Sequence, residues 1–223
     1  MLEINKIHHW DCLELMRLIP DKSIDLVLTD PPYGMSYQSS WRIDKHNKIE
    51  NDENIDFIEP FLIEAYRVLK DDTHCYIFCN DYAISDFRKL AENIWFTPKR
   101  TLVRIKNNHS SGDLEWDYAN ITEFCLFFHK WRKELNWWRD RNTLYYDRES
   151  CDDHPTVKSK QMIRYLIEKS SNKWDIVLDP FVWSWTTCVW AKESSRWYIG
   201  IEIDKGYCDS ANKRLQYTQV WLF

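Results

Sequence analysis

The stretch from Ile24 to Gly34 constrains this chain more than any other. Ile24 to Thr29 reads as a strand apolar on both faces, the pattern of a parallel strand covered by helices above and below. It runs directly into Thr29-Asp30-Pro31-Pro32-Tyr33-Gly34. An acid, two prolines and a tyrosine there place a hydrogen-bond acceptor, a rigid backbone with a bare carbonyl and a flat aromatic face at the C-terminal end of a buried strand. Open α/β sheets carry their chemistry at that end. The set suits the holding of a nucleobase amine.

The remaining chain alternates strand and helix patterns. Strands are expected at 3–9, 24–29, 74–79, 99–105, 122–128, 175–178 and 198–203. Helices are expected at 12–19, 55–69, 82–93, 158–170, from 186, and at 205–217. Seven strands with intervening helices imply an α/β fold with a doubly wound, mostly parallel, Rossmann-like sheet. The length suits one domain, 1–223. Within it, 1–129 forms one half, 130–153 a short charged insert and 154–223 a second half. Residues 35–54 and 106–120 are polar and aperiodic, and read as loops beside the strand ends.

The formal charge of −5 and pI near 5.8 exclude a general polyanion coat, so nucleic-acid contact must come from local basic segments. Arg132, Lys133, Arg139 and Arg141 in the insert are the candidates, with a solvated loop the competing reading. Seven scattered cysteines without CxxC spacing read as reduced core thiols. No leader or membrane-length apolar run is evident, and a cytoplasmic protein is expected. No metal-ligand cluster stands out.

A second constellation, Asp179-Pro180-Phe181 followed by Val182-Trp183-Ser184-Trp185-Thr186-Thr187, also ends a strand and opens a helix. Together with Asp30-Pro31-Pro32-Tyr33 it resembles the amino-methyltransferases of DNA, which methylate the exocyclic nitrogen of adenine or cytosine. In that family the second loop reads DPFxGSGTT and cradles S-adenosylmethionine. His154-Pro155-Thr156-Val157-Lys158 resembles the family's HPTxK motif, with Ser159 where proline is usual. Glu202, ending Tyr198-Ile199-Gly200-Ile201-Glu202, matches the acid that binds the cofactor's ribose hydroxyls. The order, with the catalytic motif first, is the circularly permuted order of the family's β class. It implies that Asp11 lies near the cofactor's adenine, and that the strands ending at Asp30 and Asp179 are parallel neighbours.

The resemblance implies a mechanism. The target amine's lone pair is delocalised into the ring, so Asp30 and the Pro31 carbonyl would each accept one N–H and leave the pair free to attack. Pro32 stiffens the turn, and Tyr33 stacks on a base flipped out of double-stranded DNA. The TDPPYG form leans towards adenine N6. Cytosine N4 presents the same N–H pattern and is the runner-up, followed by a non-catalytic DNA-binding module. A cognate restriction endonuclease is a further expected partner.

One feature of the composition conflicts with an α/β domain rich in turns: 13 Trp against only 4 Gly. The two counts together restore the glycine share of about 7% usual in soluble proteins. Trp183 and Trp185 stand where the family loop has glycine. Trp10, Trp95, Trp131, Trp137, Trp138 and Trp174 fall at turns. Either the gene comes from a lineage that reads UGA as glycine and was translated with tryptophan, or the chain is a decayed methyltransferase that binds no cofactor.

Overall fold

The computed structural model describes residues 2–32, 57–107, 116, 118–146, 158–182 and 186–218. In chain order these form β1 (Lys6–His9), α1 (Cys12–Met16), β2 (Ile24–Thr29), α2 (Ile58–Val68), β3 (Leu69–Cys79), α3 (Ile84–Asn93), β4 (Thr97–Pro98), β5 (Leu102–Ile105), β6 (Thr122–Lys130), β7 (Thr143–Tyr145), α4 (Lys160–Ser170), β8 (Ile176–Asp179), α5 (Thr186–Glu193), β9 (Trp197–Glu202) and α6 (Lys205–Tyr217). All belong to one mixed sheet of order β1-β9-β8-β2-β3-β6-β5-β7, with β4 also paired to β6.

The run from β1 to β3 is parallel, and β6 then reverses direction against β3. Of the strand expected at 99–105, only 102–105 is strand, as β5, with the two-residue β4 just before that range, and the charged insert contains β7, which pairs in parallel with β5. Alternating side chains feed two cores. Val27, Cys75, Ile77 and Leu178 pack beneath α1, α2 and α3, whereas Leu26, Leu28, Tyr76 and Val177 pack beneath α4, α5 and α6. Burial on both faces explains why every residue of β2 is sequestered. The charged exception, Asp25, is bound by Lys70 at 2.7 Å and by the Ile176 N–H at 2.9 Å.

Helix ends follow local chemistry. Asp11 caps α1 by accepting from the N–H groups of Leu13 and Glu14. Pro60 lies in the first turn of α2, where its missing N–H breaks no helical bond. α3 closes in a Schellman motif: Phe96 N–H donates to Ala91 O and Trp95 N–H to Glu92 O, both at 3.0 Å. The residue at the turn is Trp95, at φ 76°. Trp131, Trp137 and Trp174 also have positive φ, at 65°, 45° and 73°, so that with Trp95 they are four of the eight such non-glycine residues among the described residues. All four indoles are largely exposed.

Candidate active site

The sheet reverses its winding between β2 and β8. From β2 the chain moves outward through α2 to β3, and from β8 outward through α5 to β9. The strands pair in parallel, Leu26 with Val177 and Val27 with Leu178, so Asp30 and Asp179 emerge side by side. Thr29 Oγ1 donates to Asp179 Oδ1 at 2.7 Å, and Phe181 N–H donates to the same oxygen at 3.2 Å. Asp179 therefore builds the corner, and burial pushes it up to about 7 against these bonds. The Phe181 ring is fixed edge-on by Phe57 and Phe61, at 5.7 and 5.2 Å.

A cleft opens at this point, lined by Thr29, Asp30, Phe78, Lys158, Asp179 and Phe181 among others. Lys158 Nζ lies 2.9 Å from Asp30 Oδ2 and 4.8 Å from the centre of the Phe78 ring. Asp30 Oδ1 is buried and has no hydrogen-bond partner among the described residues. Burial pushes Asp30 up, and the Lys158 ammonium opposes that shift. Leaving a buried acceptor unsatisfied costs roughly 1–3 kcal/mol, so this oxygen calls for a partner beyond the described residues.

Further along the same end of the sheet, Glu202 closes β9. Its Oε1 accepts the Asp204 N–H at 2.8 Å, and burial pushes its carboxyl up to about 7. β1 pairs with β9 through His9 and Glu202, which brings Asp11 to the neighbouring strand end. There its Oδ1 is taken up in capping α1. Pro31 and Pro32 continue from Asp30, and Pro180 from Asp179. Lys158, expected on the cofactor side from its motif, is bound to Asp30. Tyr33 and His154 lie outside the described residues, as do Trp183 and Trp185.

The four cationic candidates lie along the insert. β6 runs antiparallel to β3, pairing Thr73 with Lys130 and Cys79 with Phe124, so the chain leaves β6 at the end of the sheet opposite Asp30 and returns through β7, which runs parallel to β5 beside Arg104. Arg132 N–H binds Asp72, and the Lys133 carbonyl lies 3.2 Å from His74 Nε2. Arg139 and Arg141 flank Asp140, which pairs with Lys169 at the end of α4.

Two residues that sequence reasoning passed over do reach the site. Glu123 of β6 and Arg104 of β5 are cross-strand partners joined at 2.9 Å, and Lys158 lies 3.9 Å from Glu123. A lone acid in an aromatic strand, opposite a lone arginine, was the available signal.

The mixed sheet, parallel from β1 to β3 and carrying acids at the ends of β2, β8 and β9, is that of the Rossmann-like DNA methyltransferases. Residues 24–213 match the family model described as DNA methylase, and the chain belongs to that family. It is 29% identical to the DNA adenine methyltransferase YhdJ of Escherichia coli K12, over 96% of this chain and 83% of that protein. Among solved structures, the M1.HpyAVI–SAM complex superposes with a TM-score of 0.75 at 28% identity, covering 94% of this chain and 98% of that one. The cytosine-N4-specific PvuII DNA methyltransferase shares the fold, with a TM-score of 0.74 at 18% identity and coverage of 96% and 93%.

Proposed function

We propose that this chain methylates the exocyclic N6 of an adenine flipped out of double-stranded DNA, with S-adenosylmethionine as cofactor. The observation that carries the reading is Asp30 Oδ1, buried and unpartnered among the described residues at a carboxylate that lines the cleft, while Oδ2 is occupied by Lys158. One oxygen is thus reserved for an incoming donor. It accepts one N–H of the target amine, the Pro31 carbonyl accepts the other, and the nitrogen lone pair is left free to attack. Lys158 holds Oδ2 and opposes the upward push of burial on the Asp30 carboxyl.

The described residues fit the cofactor. When bound, S-adenosylmethionine supplies an electrophilic methyl group. The Asp179-Pro180-Phe181 corner lies directly beside Asp30, and Glu202 retains an oxygen not used by Asp204 for a ribose hydroxyl. Asp11 stands at the adjacent strand end for the adenine. His154 and Tyr33 keep the roles implied by the family resemblance, at the cofactor and as the stacking face. The kinship with YhdJ supports adenine; cytosine N4 is the second reading, favoured by the shared fold of the PvuII enzyme.

The native residue at 183 and 185 is, in this reading, glycine. Support comes from Trp95, Trp131, Trp137 and Trp174, which occupy the left-handed backbone region glycine favours. A peptide mass spanning 179–192 from the native source decides the point, and tryptophan masses there would refute it. The activity is tested by incubating W183G/W185G protein with DNA and methyl-labelled cofactor, then separating the nucleosides. Label in N6-methyladenine is expected. Label in N4-methylcytosine would replace the first reading with the second, and unlabelled DNA would refute both.

On the described residues no helix is long and apolar enough to cross a membrane. A cytoplasmic enzyme acting beside a cognate restriction endonuclease agrees with this reading. Arg132, Lys133, Arg139 and Arg141 of the insert are the proposed phosphate contacts.

A further inference from the structure

Behind the cleft stands a chain of alternating charges. Asp30 Oδ2 meets Lys158 Nζ at 2.9 Å, Lys158 meets Glu123 Oε2 at 3.9 Å, and Glu123 Oε2 accepts from Arg104 Nη1 at 2.9 Å. Lys106 approaches the other Glu123 oxygen at 3.8 Å. Arg104 is itself almost fully buried, and its Nε donates to the Tyr146 carbonyl at 3.0 Å. The Arg104–Glu123 pair is fixed by register, since the two residues face each other across β5 and β6.

We propose that Glu123, held by Arg104, is a positioning residue for the methyl-transfer reaction: it anchors the Lys158 ammonium so that Lys158 engages only Oδ2 of Asp30 and leaves Oδ1 to the target amine. This rests on the methyltransferase reading above. An ammonium has three donors on a flexible stem. Without a second anchor, Lys158 can move across the carboxylate and occupy the oxygen the reaction needs. With Glu123 in place, the ammonium sits between two acids on different strands and its reach is limited. The Phe78 face closes a further side. Burial works against the Glu123 carboxylate, but Lys158, Arg104 and Lys106 together outweigh it and hold Glu123 below the usual range, so the anchor is ionised. The other titratable groups around Asp30 are Asp179, Cys79 and Cys125, and burial keeps both thiols neutral.

The test is E123Q, which keeps shape and removes charge, studied in the full W183G/W185G chain by two readouts. The first is methyl transfer to DNA. kcat should fall about 10- to 100-fold, the scale of a small misplacement at a reacting centre, with KM for the cofactor little changed. The second is the Asp30 carboxyl titration followed by carbon NMR, which needs no turnover and so stands even if the methyltransferase reading fails. With the neighbouring negative charge gone and Lys158 drawn fully onto Asp30, that titration should move to lower pH.

Both changes together support the proposal. A lowered kcat with an unmoved Asp30 titration would reduce Glu123 to a structural role, and a moved titration with parental kcat would show that positioning is irrelevant; either result overturns it. If E123Q does not fold, E123D, which retains the charge one methylene further back, is measured in the same way. It should restore the parental Asp30 titration while keeping part of the kcat defect.

Discussion

Trp95 offers the sharpest physical test of the unusual tryptophan content. It occupies the C′ position of the Schellman motif that ends α3, at φ 76°, with its indole 79% exposed. The left-handed conformation costs an L-residue roughly 1–2 kcal/mol through the clash of Cβ with the following carbonyl, and glycine avoids it. Glycine also gives the unfolded chain more freedom, which takes back about 0.4–1 kcal/mol. An exposed indole contributes little packing to offset the difference. W95G should therefore stabilise the chain by about 0.5–1 kcal/mol, raising the melting temperature by roughly 1–4 °C at this chain length. W95A separates the cause: alanine removes the indole but keeps the Cβ, so it should gain nothing. Urea denaturation of the parent, W95G and W95A measures both at once. A midpoint for W95G no higher than that for W95A would refute the reasoning. Ser195 repeats the geometry at the end of α5, at φ 61° with Arg196 N–H on Ala191 O at 2.7 Å, and S195G should gain similarly.

His74 is fully buried between Ser170 and the Lys133 carbonyl, and burial pushes it down to about 3. A depressed folded value means its contribution to stability is complete above the unfolded value near 6.5 and is lost as pH falls. Roughly 2 kcal/mol should go between pH 6.5 and 5, and urea titrations should show H74Q flattening that slope; an unchanged slope would contradict the assignment. T29V removes the donor to buried Asp179 and should cost about 1–3 kcal/mol, whereas unaltered stability would mean the two corners are not coupled. Replacing Arg132, Lys133, Arg139 and Arg141 together by glutamine should reduce the salt slope of DNA affinity by about three to four. An unchanged slope would show that those side chains contact no phosphate.

The architecture was legible because its signals are local. Strand β2 announces itself by continuous apolarity, α1 by its capping aspartate, and the two Asp-Pro corners by following buried strands. The neighbourhood of Asp30 and Asp179 followed from motif order, and the Thr29–Asp179 bond realises it. What escaped is non-local. Glu123 and Arg104 acquire their meaning only through strand register, because neither lies within a motif. Charge clustering in the insert likewise says nothing about which end of a strand the segment leaves from; that depends on the reversal of β6. β7 is three residues long, too short for a periodic signal, and exists because β5 offers it an edge.

The account turns on one oxygen, Asp30 Oδ1, receiving the target amine. Single-turnover methyl transfer by D30N, compared with its parent in W183G/W185G protein under saturating cofactor, tests this most directly. The expected result is a loss of about 100- to 1,000-fold in rate with cofactor binding by calorimetry retained. A D30N protein that transfers methyl groups within a few-fold of its parent would contradict it.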